Sequence, residues 1–142
     1  MTRANVTTRT IHSERAAWAW AKVMAVSTSG LGPKYATHAR KLPARVLTSG
    51  LGQAMAFLFA KSQGGTKGDG TAKLLEHLGE RILTTLGHSV PPSFDAKKVM
   101  QIILDMDPQQ YRQCTHELLA ASEWLKRFAE GFFGKNEDSD DT

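Results

Sequence analysis

The chain has 142 residues, the length of one ordinary domain, and a single cysteine, Cys114, so no internal disulfide can form and the composition suits a reducing interior. The net charge of +4 conceals an asymmetry: residues 1–68 carry ten Lys and Arg against one acid, Glu14, whereas residues 69–142 carry eight basic and thirteen acidic side chains. No apolar run approaches the roughly 20 residues of a membrane span and no secretory leader pattern is present, so a soluble, cytoplasmic protein without membrane contact is expected.

Six helical segments follow in chain order, and no stretch shows sustained strand alternation flanked by turns, so the expected fold is an all-α, compact single-domain bundle. The first helix is predicted from about Ile11 to Val26, ended by Gly30, Gly32 and Pro33. A second, Lys34 to Leu47, contains Pro43, which removes a ladder bond and disfavours a helical neighbour before it; a kink or break near Leu42 is expected. The third runs from about Leu51 to Ser62, and "QGGTKGDG" reads as a loop. The fourth, Thr71 to Leu86, carries an apolar stripe through Leu74, Leu75, Leu78, Ile82, Leu83 and Leu86. Ser93 is predicted to cap the fifth, Phe94 to Leu104, and Asp107 the last, with Pro108 at its first position. On that last helix Tyr111, Cys114, Leu118, Leu125, Phe128 and Phe132 fall on one face. The folded domain is expected over 1–136, with the acidic end "EDSDDT" at 137–142 a disordered tail.

The string "TSGLG" occurs twice, at Thr28 to Gly32 and Thr48 to Gly52. A dinucleotide loop needs a preceding buried strand and a third small residue at fixed spacing, and a Walker loop needs Gly-Lys-Ser/Thr; neither context is present, so both copies read as helix stops and starts. The five histidines are dispersed, and His116-Glu117 lacks the second His of a zincin helix. Glu76 with Glu80, and Asp105 with Asp107, could be drawn as acid/base pairs, but the helix positions favour a solvated face and caps. Cys114 is expected to behave as a buried small hydrophobe. No catalytic, metal or cofactor site assembles.

The positive residues are more informative. Over residues 1–136 basic side chains outnumber acidic ones by 18 to 10, a balance that favours polyanionic partners. Arg40, Lys41 and Arg45 flank Pro43, Arg15 and Lys22 lie seven apart on the first helix, and Lys126 and Arg127 sit near the end of the last. Such side chains can line a groove that follows a sugar-phosphate backbone without reading bases. Trp18, Trp20 and Trp124 could stack bases, although their large apolar area argues for packing in the core.

Two longer stretches are more specific. "KLPARVLTSGLGQAMAFLFAK", Lys41 to Lys61, and "YRQCTHELLAASEWLKRFAEG", Tyr111 to Gly131, resemble in order the two signatures of the small subunit of the type III-B CRISPR effector, the Cmr complex, with a weaker "R-A-x-x-A-x-x-x-V" match at Arg15 to Val23. The resemblance covers about a third of the chain. Ser49 stands where that family usually has Asn, and Ser122 where a small or apolar residue is common.

The resemblance implies a helical protein with no catalytic activity, copies of which stack head to tail beside the backbone subunits and line the groove where target RNA pairs with guide RNA. Its implied partners are other Cmr subunits, further copies of itself, and guide and target RNA. The residues expected to contact RNA are Arg15, Lys22, Arg40, Lys41, Arg45, Lys126 and Arg127. Two alternatives are a protein-interaction adaptor that never touches RNA, and a small nuclease built on the carboxylate pairs.

Overall fold

The computed structural model describes residues 10–66 and 68–134. Six helices follow one another: α1 Ile11–Ser27, α2 Gly32–Ser49, α3 Leu51–Lys61, α4 Gly70–Thr85, α5 Ala96–Leu104 and α6 Pro108–Phe133. Among the described residues there is no strand, and no helix is long and apolar enough to cross a membrane. The six-helix bundle is the expected all-α class. The acidic tail predicted at 137–142 lies outside the described residues.

Most helix ends follow from local chemistry. The Thr10 and Asp95 side chains accept from Ser13 N–H and Lys98 N–H, and Asp69 accepts from Thr71 and Ala72 N–H, satisfying donors that a first turn leaves open. Asp107 forms a capping box: its carboxylate accepts from Gln110 N–H at 2.8 Å, while Gln110 Oε1 accepts from Asp107 N–H at 3.1 Å. The fifth helix therefore starts later than predicted, with Asp95 and not Ser93 as its cap. Phe94 stays outside the helix and packs, half-buried, against the core.

Pro43 does not interrupt α2, which runs unbroken to Ser49. Proline removes only its own N–H from the ladder, and Leu42, Pro43 and Val46 are all buried; core packing on that face outweighs the lost bond. Gly50 (φ +90°) then separates α2 from α3, in a conformation costly for any residue with a Cβ.

Helix α6 packs chiefly on α2 and α1, and α4 fills the space beside α2 and α3. The centre is built from Tyr35, Leu42, Leu51, Met55, Leu58, Leu74, Leu78, Ile82, Leu118 and Leu125, all fully buried. On α6 the predicted face holds for Cys114, Leu118 and Leu125, whereas Phe132 is exposed and Ala121, Ser122 and Ala129 are buried instead. Ser122 is accommodated because its hydroxyl donates to the Leu119 carbonyl at 3.0 Å.

Candidate nucleic-acid interface

Spacings of four, three and four residues place Lys34, His38, Lys41 and Arg45 on one face of α2. Helix α3, turned back against α2 at Gly50, brings Phe57 and Lys61 to the same place. The Arg45 guanidinium carbon lies 3.8 Å from the centroid of the Phe57 ring, and the Lys61 ammonium lies over the same ring at 5.9 Å. His38 meets that ring edge-on, with centroids 5.9 Å apart. Cations over an aromatic face are held by the ring quadrupole, which fixes Arg45 in orientation without neutralising it. Burial, followed by the charges of Arg45, Lys61, Lys41 and Lys34, pushes the His38 imidazole down to about 4 and keeps it neutral at physiological pH. Burial also lowers the Arg45 pKa.

The other predicted cations are placed differently. Arg15 is buried, and its guanidinium grips Glu117 in a fork, Nε to Oε2 at 2.9 Å and Nη2 to Oε1 at 2.8 Å. The same carboxylate accepts from Arg81 Nε at 3.0 Å and Nη2 at 2.7 Å, and Arg81 reaches on to Glu14 at 2.6 and 3.0 Å. Glu14, Arg15, Arg81 and Glu117 thus form one network joining α1, α4 and α6, with Arg81 stacked 5.1 Å from the Trp18 ring. Burial opposes ionisation of Glu117, yet the hydrogen bonds from Arg15 and Arg81 hold its carboxyl below the ordinary range; the bond from Arg81 does the same for Glu14. Arg15 is therefore an internal tie between α1 and α6. Lys22 is paired with Glu80 at 2.6 Å. Arg40 and Lys41 are half-buried on α2, while on α6 Lys126 is half-buried and Arg127 exposed.

Lys34, His38, Phe57 and Lys61 were not among the residues expected at the interface. The spacing of Lys34 from Lys41 and Arg45 was readable along α2; the arrival of Phe57 and Lys61 from α3 depends on the turn at Gly50. The tryptophans pack on protein: Trp18 under Arg81, Trp124 against Phe128 at 5.6 Å, and Trp20, exposed on one side, against Phe128 and Phe132 at 5.2 and 5.1 Å.

The carboxylate pairs are occupied elsewhere: Glu76 with Lys73 at 3.1 Å, Glu80 with Lys22, and Asp107 as a cap. Among the described residues no three His, Cys, Asp or Glu side chains converge as a metal ion would require. Cys114 is buried, which together with the charge of Glu117 pushes its thiol up to about 11.

The two stretches that carry the resemblance meet in space, since Gly52 N–H donates to the Tyr111 hydroxyl at 2.8 Å. The family described as CRISPR-associated protein (Cas_Cmr5) matches residues 11–132. The chain is similar to the CRISPR system Cmr subunit Cmr5 of Thermus thermophilus, with 32% identity over 97 residues, 68% of this chain and 73% of that protein. It also resembles the crystal structure of a CRISPR-associated Cmr5 family protein from Thermus thermophilus, with a TM-score of 0.65 and 30% identity over 88% of this chain and 98% of the other. With the family match spanning nearly all of the six helices, and the fold agreeing with a solved member, the chain belongs to the Cmr5 family of CRISPR-associated proteins.

Proposed function

We propose that this protein is the non-catalytic small subunit of a type III-B CRISPR (Cmr) RNA-guided effector in antiviral defence. In this reading its copies stack along the backbone subunits, and the α2–α3 face contacts the sugar-phosphate backbone of guide or target RNA. The observation that carries the RNA contact is the grouping of Lys34, Lys41, Arg45 and Lys61 around His38. An RNA whose sequence is set by the guide is best held through phosphates, which a basic face does without reading bases. Lys41 and Arg45 are central to the contact; Arg40, Lys126 and Arg127 extend it, while Arg15 and Lys22 are committed to Glu117 and Glu80. The protein works in the cytoplasm, beside the other Cmr subunits.

Reversing two charges with Lys41→Glu and Arg45→Glu is expected to weaken RNA binding by the assembled complex and to reduce the dependence of log K on log salt by about 2, near one unit for each phosphate no longer neutralised. An unchanged salt slope removes the contact from this face. A second reading is an adaptor that meets only protein. It draws support from an apolar groove of about 660 Å³ between α3, α5 and α6, lined by Ala56, Met100, Ile103, Leu104 and Met106, where Leu104 is 70% exposed. Crosslinking RNA within the complex separates the two, because an adaptor yields no adducts on this chain.

A further inference from the structure

The end of α6 meets the start of α2 at Gly32. Helix α6 runs back along α2, from Tyr111, whose hydroxyl accepts from Gly52 N–H at 2.8 Å, to Phe133, whose ring occupies the place that a Cβ on Gly32 would take. Gly134 (φ +80°) then closes α6, its N–H donating to the Glu130 carbonyl at 2.8 Å. The chain therefore leaves α6 beside the first turn of α2, and the residues that follow include Glu137, Asp138, Asp140 and Asp141.

That first turn opens a one-signed part of the molecule. Between Glu14 and Asp69 the sequence has no Asp or Glu, and α2 carries Lys34, Arg40, Lys41 and Arg45. The cations of α1 and α4 differ, because the fold brings carboxylates to them, Glu117 to Arg15 and Arg81, and Glu80 to Lys22. The last turns of α6 are balanced, with Lys126 and Arg127 against Glu123 and Glu130, so the field that the departing chain meets is set by α2.

The acidic residues are within reach of it. Residues 135–142 extend to about 26 Å, and Lys41 lies about 14 Å along α2 from Gly32. Around the helix, Arg40 is turned about 80° from Gly32, and Lys41 and Lys34 about 180–200°. Between them, at about 100–120°, lie Pro33 and Ala44, both exposed, so the way round is open to solvent. Each exposed ion pair contributes little by itself. Four carboxylates on a short tether act together, at an effective concentration near millimolar that a separate acidic partner has to reach in bulk.

We propose that the acidic segment from Glu137 to Asp141 folds back over this flank and pairs with Arg40, Lys41 and Lys34, screening the acid-free face of α2 until a stronger polyanion displaces it. The contact is intramolecular, and it stands whatever that face receives in an assembled complex.

The test uses the full chain, 15N-labelled, with a nitroxide on Ser139→Cys; Cys114 is buried and stays unlabelled. Paramagnetic broadening of the α2 amides from Lys34 to Lys41 is compared with that of the first turn of α4, which also packs on the start of α2, at Leu31 and Tyr35. The expected result is broadening of α2 in excess of α4, falling at least twofold at about 0.5 M salt, where the Debye length is about 4 Å. Joint Glu137→Gln, Asp138→Asn, Asp140→Asn and Asp141→Asn substitution should remove the excess and leave the melting temperature unchanged, and inorganic polyphosphate should remove it from the unsubstituted segment. Equal broadening of the two helices at low salt overturns the contact, as does an excess that survives neutralisation of the four acids. An excess that persists in polyphosphate overturns the displaceable screen. Mixing spin-labelled chain of natural isotopes with 15N chain lacking the nitroxide gives no excess in this proposal; an excess there assigns the contact to the segment of a second copy and overturns it.

Discussion

Glu117 accepts from two arginines at once, and this makes it the most consequential single side chain outside the apolar core. Removing it leaves Arg15 and Arg81 buried with a partner short, and breaking a buried pair in this way costs more than the pair contributes relative to an apolar substitute. Glu117→Ala is expected to destabilise the protein by about 3 kcal/mol in urea unfolding. A loss below about 1 kcal/mol would mean that water reaches both guanidiniums. Arg15 shows why this was not legible beforehand. As a residue type on a helix it is indistinguishable from Lys41, and its partner lies 102 positions away. Only tertiary structure shows which carboxylate a given cation meets.

At the level of elements, caps and apolar stripes were legible because their causes are local. Asp107 with Pro108 announced α6, and the leucines of α4 announced its buried face. Where a distant contact enters, local rules give way: α2 passes through Pro43 because its face is buried, and Phe94 leaves α5 to pack on the core. The join between α4 and α2 is a contact of that kind. A Cβ at Gly70 would stand 2.5 Å from both the Leu31 carbonyl oxygen and the Tyr35 nitrogen, backbone atoms that cannot rotate aside. Gly70→Ala is therefore expected to lose about 1–3 kcal/mol, despite alanine's better helix propensity. A gain in melting temperature would show that α4 can move away from α2 freely.

Across the whole molecule, pH reports on the buried histidines. His77 shares a 2.8 Å hydrogen bond with the Tyr35 hydroxyl, and burial first, then Lys22 and Lys73, pushes it down to about 3 from an ordinary 6.5. A lowered histidine pKa means that the unfolded chain binds the proton more readily. Its contribution to stability is complete above pH 6.5 and is lost as pH falls toward 3. At pH 5 the linkage for His77 alone amounts to about 2 kcal/mol, and His38 acts in the same direction. Unfolding free energy should fall between pH 7 and pH 5, and His77→Gln should flatten that slope. An equally steep slope in the variant would assign the effect to other groups. The basic character of the first half of the sequence was legible as a total. The grouping of Arg40, Lys41 and Arg45 around Pro43 was legible too, whereas the arrival of Lys61 over Phe57 and the pairing of Arg15 and Lys22 with Glu117 and Glu80 were not, because each depends on a contact between helices.

The Glu14–Arg81–Glu117–Arg15 network has one more effect. The buried face of helix α1 is short, Ala19, Val23 and Val26 beside the one buried cation Arg15. Glu14 and Arg15 are adjacent but reach partners of opposite sign, the Arg81 guanidinium and the Glu117 carboxylate. A screw of α1 by one residue, about 1.5 Å along its axis and about 100° around it, brings Glu14 to the place of Arg15 and sets it against Glu117, carboxylate facing carboxylate. The four charges thus add a condition of sign to the fit of shape that Ala19, Val23 and Val26 impose on α1.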